Sequence, residues 1–284
     1  MREAKHYRGT AGFFDTHAHL YDHRFEEEGR TPDDVLLAAS EAGVTRILIP
    51  ADNIATSRQA VDYRNANDGK HGVSLFASVG VHPHEASTYS PEAEEELVRF
   101  LDKETRQNNG IMALGEIGLD YYYDLSPRDV QREVFRKQLV LAKEMDIPII
   151  LHERDATGDC LDILRDFYKR GALRANPGVC HCCSMSPEAA EEMVRMGFYI
   201  GVDGPLTFKN NKKTPEVVKR VPIDRIVIET DSPYLTPEPN RGMRNEPEFV
   251  PYVALKLAEI LKSDISDICR ITTQNGIALY GLMG

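Results

Sequence analysis

Residues 13–19 read Phe-Phe-Asp-Thr-His-Ala-His. Two aromatic residues lead into polar side chains, as at the end of a short strand leaving a core. Residues two apart on a strand face the same side, so His17 and His19 point together. The same grammar recurs downstream. Strands are predicted at 13–17, 46–50, 75–81, 111–116, 148–152, 178–182, 199–202 and 225–229. Most are rich in Ile, Leu and Val with little alternation, which is how strands buried on both faces read.

Amphipathic helices fall between them, at about 32–42, 91–106, 127–145, 160–169, 187–196, 215–220 and 248–261. In the third, Val130, Val134, Leu141 and Met145 share one face. Ser90-Pro91, Ser126-Pro127, Ser186-Pro187 and Thr214-Pro215 look like helix starts, with a capping hydroxyl before a proline suited to the first turn. Gly43, Gly171 and Gly197 fall just past helix ends. Eight strands, each followed by a helix, predict an α/β single-domain (β/α)₈ TIM barrel over 13–284, after an N-terminal extension at 1–12. An open doubly wound sheet is the alternative. Polar residues at the carboxyl end of strand after strand favour the barrel, and no glycine-rich phosphate loop is present.

The 284 residues suit one barrel of this type, and no apolar run is long enough to cross a bilayer. Residues 1–12 lack the apolar middle of a signal peptide, so a cytoplasmic location is expected. Five cysteines make a poor disulfide framework, and Cys180, Cys182 and Cys183 lack zinc-knuckle spacing; reduced thiols are expected. A net charge of −11 argues against broad electrostatic binding to duplex DNA. Bound divalent ions can still supply a local positive field for a phosphate.

The strand ends carry the chemistry. Glu116 lies between Gly115 and Gly118, placed to bridge two cations. His152, His181 and Asp231 end later strands, while Asp15 shares the face of His17 and His19 and is expected to orient an imidazole. Each of these residues alone suits a buried core histidine or a salt-bridged rim acid. Convergence of four histidines, a glutamate and an aspartate on one mouth points instead to a metal.

These motifs carry a resemblance. Asp-Thr-His-Ala-His at 15–19, Gly-Val-His-Pro-His at 80–84, Gly-Glu-Ile-Gly-Leu-Asp-Tyr at 115–121, His-Glu-Arg-Asp-Ala at 152–156, Glu-Thr-Asp-Ser-Pro-Tyr-Leu at 229–235 and Arg-Asn-Glu-Pro at 244–247 occur in that order. The chain resembles the TatD-related deoxyribonucleases of the amidohydrolase-like barrels over nearly its whole length. The resemblance implies that His17, His19, Glu116 and Asp231 hold one metal ion. It implies that Glu116, His152 and His181 hold a second, with Glu116 bridging. Such oxygen and imidazole donors suit Zn²⁺, Mn²⁺, Ni²⁺ or Mg²⁺. It also implies 3′–5′ exonuclease action, mainly on single strands. The chain departs from the usual Cys-Phe-Ser-Gly after the sixth-strand histidine, reading Cys182-Cys183-Ser184-Met185. That puts the shape of the substrate rim in question.

The expected reaction is in-line attack on phosphorus by a water activated between two ions about 3.5–4 Å apart. Asp231 is the expected proton acceptor as well as a ligand, and Glu116 is counted with it as catalytic. Arg154 and Arg244 are expected to fork onto phosphate oxygens, unless rim acids such as Asp155 or Glu246 claim them. His82 and His84 are expected beside the metals or the phosphate. Lys209, in a small basic run with Lys212 and Lys213, is a further candidate contact. Phe208, Tyr234 and the 121–123 tyrosines are candidate stacking residues, with packing at the rim expected for most of the latter. The expected partner is DNA, met transiently by a monomer. A rival reading keeps the metals and changes the bond, to an ester such as that of D-aminoacyl-tRNA.

Overall fold

A computed structural model describes residues 5–6, 12–27 and 29–282. Most of the expected extension at 1–12 therefore lies outside the described residues. Eight parallel strands form one sheet in sequence order: β1 (Phe13–Asp15), β2 (Val44–Ile49), β3 (Ser74–Val79), β4 (Ile111–Asp120), β5 (Ile149–Arg154), β6 (Gly178–Cys180), β7 (Tyr199–Val202) and β8 (Ile226–Ile228). The ends meet. Thr16 N–H donates to the Ile228 carbonyl at 3.2 Å, Asp231 N–H to the His17 carbonyl at 2.9 Å and His19 N–H to the Ser232 carbonyl at 2.8 Å. The chain is a single-domain TIM barrel, as expected.

Adjacent residues on a strand belong to different apolar clusters. Phe13, Ile47, Ile49, Ile149 and Leu151 pack in the large cluster with the helices, while Phe14, Leu48 and Ile150 join a small one with Val179, Tyr199 and Val227. Successive side chains point to opposite faces, so the small cluster is the barrel interior. Two residues further along β5, β6, β7 and β8 stand His152, His181, Gly201 and Glu229. The apolar layer thus gives way to a polar one at the carboxyl mouth.

Boundaries differ from the sequence reading for local reasons. β4 runs on to Asp120 because its register against β5 shifts between Leu114 and Ile117. The helix expected at 91–106 breaks into Pro91–Leu101 and Lys103–Asn108, because the Asp102 carboxylate accepts the N–H groups of Glu104 and Thr105 and restarts it. Ser90 and Ser186 cap as expected, accepting from Ala93 and Ala189 N–H. Ser126 does not cap; its hydroxyl donates to the His84 carbonyl at 2.8 Å. Thr214 lies inside its helix, whose first amides are met by Asn211 Oδ1. Besides the single turn Arg24–Glu27, two longer helices among the described residues have no counterpart in the sequence reading. Ile54–Asn67 buries only Ser57, Ala60, Val61 and Asn67, too thin an apolar stripe to read. Ile265–Tyr280 has a mixed inner face: Ile268, Cys269, Leu279 and Tyr280 are buried beside polar groups, of which Asn275 donates to the Ile223 and Ile226 carbonyls and Thr273 to that of Gly12.

Candidate metal centre

The mouth is built outward from His17 and His19, whose Nε2 atoms lie 3.3 Å apart. Asp231 Oδ1 lies 3.7 Å from His17 Nε2 and 3.5 Å from His19 Nε2. Glu116 Oε1 approaches the same two nitrogens at 3.3 and 3.6 Å. Ligands about 2.0–2.2 Å from a tetrahedral ion stand about 3.4 Å from one another. These imidazoles and carboxylates therefore fit a divalent cation in spacing as well as in chemistry.

The other oxygen of Glu116 faces away from this group. Its Oε2 lies 3.5 Å from His152 Nδ1 and 3.9 Å from His181 Nε2. Each of these imidazoles is aimed by an acid on its far nitrogen. Asp120 Oδ2 meets His152 Nε2 at 3.0 Å, and Glu229 Oε1 meets His181 Nδ1 at 2.9 Å. Gly201 leaves room for Glu229: a Cβ there would stand 2.5 Å from Oε1. The expected trio is loose, however. His181 groups with His17 and Glu116, while His152 groups with His82 and Glu116. The His17 and His181 rings stack at 3.5 Å between centroids, which holds His181 toward the β1 side.

Burial works against charge here, yet the charges persist. Burial raises the Glu116 carboxyl, but His17, His152 and His181 outweigh it and hold the group well below the usual carboxylate range. Burial depresses the His181 imidazole, and Glu229, Asp231 and Glu116 more than reverse this, pushing it up to about 10. His19 rises to about 9 against burial, through Asp231, Asp52 and Glu116. Buried acids here outnumber fixed cations and call for positive charge.

Other expected residues fall in different places. Asp15 does not orient an imidazole. It accepts from Thr230 N–H at 2.9 Å and the Thr230 hydroxyl at 2.6 Å, tying β1 to the segment after β8, and His17 Nδ1 has no hydrogen-bond partner. His82 is buried and its Nδ1 accepts His84 N–H at 3.1 Å. With Nδ1 accepting, the neutral ring carries its proton on Nε2 and can donate a hydrogen bond from there. His84 Nε2 shares Asp120 with His152, at 2.9 Å. Arg244 does not fork outward. Its side chain is buried, with one guanidinium nitrogen 2.6 Å from Glu246 Oε1 and another 2.8 Å from the Arg24 carbonyl. Arg154 is exposed and lies over the Tyr122 and Tyr123 rings at 4.1 and 4.9 Å. Tyr234 stands edge-on to His19 at 5.9 Å beneath Arg24, and Lys209 is exposed on the loop after β7. Tyr121 is engaged, its hydroxyl donating to Asp159 at 2.6 Å.

Sequence reading gave no role to Asp120, Glu229 or Asp52. Asp52 forms a further close group with His19 and Glu116. All three sit at or just beyond a strand end, the signal that could have found them. The five cysteines are free, and none joins a metal-capable group among the described residues. Among the described residues, no helix is long and apolar enough to cross a membrane.

Known proteins agree with this construction. The family described as TatD-related DNase matches residues 14–281. An uncharacterized metal-dependent hydrolase of Bacillus subtilis, YabD, is 42% identical over 94% of this chain and 98% of its own length. The 3′-5′ ssDNA/RNA exonuclease TatD of Erwinia amylovora is 32% identical over 88% of this chain and 93% of its own. The crystal structure of YJJV, a TatD homologue from Escherichia coli, superposes with a TM-score of 0.85 and 29% identity, covering 97% of this chain and 100% of that one. Motif order, barrel and ligand cluster thus converge with direct similarity, and the chain belongs to the TatD-related DNase family of metal-dependent hydrolases.

Proposed function

We propose that the protein hydrolyses phosphodiester bonds of single-stranded DNA from the 3′ end, using two divalent ions that share Glu116. The observation that carries this reading is the division of Glu116, with Oε1 turned to His17 and His19 and Oε2 to His152 and His181. When bound, paired divalent ions activate a water and neutralise charge on the attacking and leaving oxygens.

The chain's own groups have separate tasks. Asp231 is the least buried carboxylate of the ligand set, at 14% side-chain exposure against 4% for Glu116. It faces the open mouth and accepts the proton of the attacking water. Burial raises its carboxyl, but His19, His181 and His17 outweigh burial and keep it ionised. Asp120 and Glu229 fix the rings of His152 and His181. Arg154 presents a planar fork to a non-bridging phosphate oxygen. The Erwinia relative supports the choice of substrate and direction.

A single-stranded oligonucleotide labelled at its 5′ end, incubated with metal-loaded protein, reports the activity. A ladder shortening from the 3′ end is expected, abolished by chelation. Hydrolysis of a D-aminoacyl-tRNA ester with none of single-stranded DNA would overturn the proposal in favour of an ester hydrolase.

A further inference from the structure

Most described arginines of this acidic chain are matched to a carboxylate; Arg154 is among those that are not. Among the described residues its guanidinium enters no ion pair, although Asp155 is its neighbour in sequence. It is held by ring faces instead, 4.1 Å from the Tyr122 centroid and 4.9 Å from that of Tyr123. The two tyrosines meet edge to face at 4.9 Å and 88°. Tyr122 is 57% exposed and Tyr123 54%. Two large exposed rings and an unmatched cation together at the mouth of the site present a surface for something flat that carries an anionic group.

The cluster is wired to the metal centre. Tyr123 packs edge-on against His84 at 5.4 Å, and His84 and His152 share Asp120. Asp120 also accepts the N–H groups of Tyr122 and Tyr123 at 3.0 and 2.9 Å, which sets the turn that presents both rings. Asp120 therefore aims a metal-facing imidazole and the tyrosine turn at once.

We propose that Tyr122 and Tyr123, with Arg154 across them, form a platform that stacks one unpaired nucleobase of the substrate strand beside the metal centre. Arg154 meets the phosphate attached to that nucleotide. This rests on the nuclease reading above and adds the reason for preferring single strands, since a base held in a duplex stack has no free face to offer.

The test uses metal-loaded full-length protein and two 5′-labelled strands: oligothymidine, and the same strand with abasic residues at its three 3′-terminal positions. Wild-type protein is expected to bind and shorten oligothymidine about tenfold better than the abasic strand, the size of one base–aromatic stack. Tyr122→Ala should abolish that preference, and Tyr122→Trp should restore it, which separates stacking from misfolding. Equal handling of both strands by wild type, or an undiminished preference in Tyr122→Ala, would overturn the platform while the nuclease reading stands. No cleavage of either strand by wild type would overturn the nuclease reading and the platform with it.

Discussion

The metal centre has two unlike halves. On the β1 side, Nε2 of His17 and of His19 and Oδ1 of Asp231 stand 3.3–3.7 Å apart, the spacing of ligands around an ion. No acid backs His17, whose Nδ1 is without a partner. Main-chain bonds between β1 and the segment after β8 set the geometry. On the β5–β6 side each imidazole has a buried acid behind it, yet the two rings join different groups and His181 reaches Glu116 only at 3.9 Å. One half is fixed by the backbone, the other by side chains aiming side chains. The backbone half should hold its shape when acids are changed, and the side-chain half should not.

Glu116 belongs to both halves, so its loss should be the largest. Glu116→Gln is expected to lower hydrolysis on the order of a thousandfold and to reduce metal content on both sides. Retained activity would mean that the halves do not share this carboxylate. Asp120→Asn and Glu229→Gln should each weaken metal affinity or activity about 10–100-fold. In a Mn²⁺ titration they should affect one class of site and spare the other; an equal loss in both classes would erase the proposed division.

Gly201→Ala sharpens the same point from beneath. The new Cβ would press on Glu229, so a stability loss of about 1–3 kcal/mol is expected, read as a shifted urea midpoint. An unchanged midpoint would show that Glu229 has room to move. The smallest effect on the fold itself is expected from chelation. Removing bound ions should lower Tm by about 3–8 °C, since ions bind the folded chain alone. A Tm indifferent to chelator and to added Mn²⁺ would speak against ions in this mouth.

The β1 half was the more legible in sequence, because two histidines two residues apart need only the rule that strands alternate. Glu116, His152, His181 and Asp231 followed from their places at strand ends. The acids behind the imidazoles were harder. Asp120 became legible only once β4 was seen to continue four residues past Glu116, and Glu229 once β7 and β8 were neighbours across Gly201. Arg244 takes the alternative that the sequence left open, pairing with Glu246 two residues on. In the fold, strands and strongly amphipathic helices were readable. Ile265–Tyr280 was not, since Thr272, Thr273 and Asn275, each bonded to a backbone carbonyl, interrupt the apolar stripe of Ile268, Cys269, Leu279 and Tyr280.

The sharing of Glu116 between two ions is tested most directly by anomalous diffraction from crystals grown with Mn²⁺. The account predicts two peaks, one among His17, His19, Glu116 and Asp231 and one at Glu116 Oε2 with His152 and His181 drawn toward it. A single peak that leaves Glu116 outside its coordination shell, or none at this mouth, would contradict it.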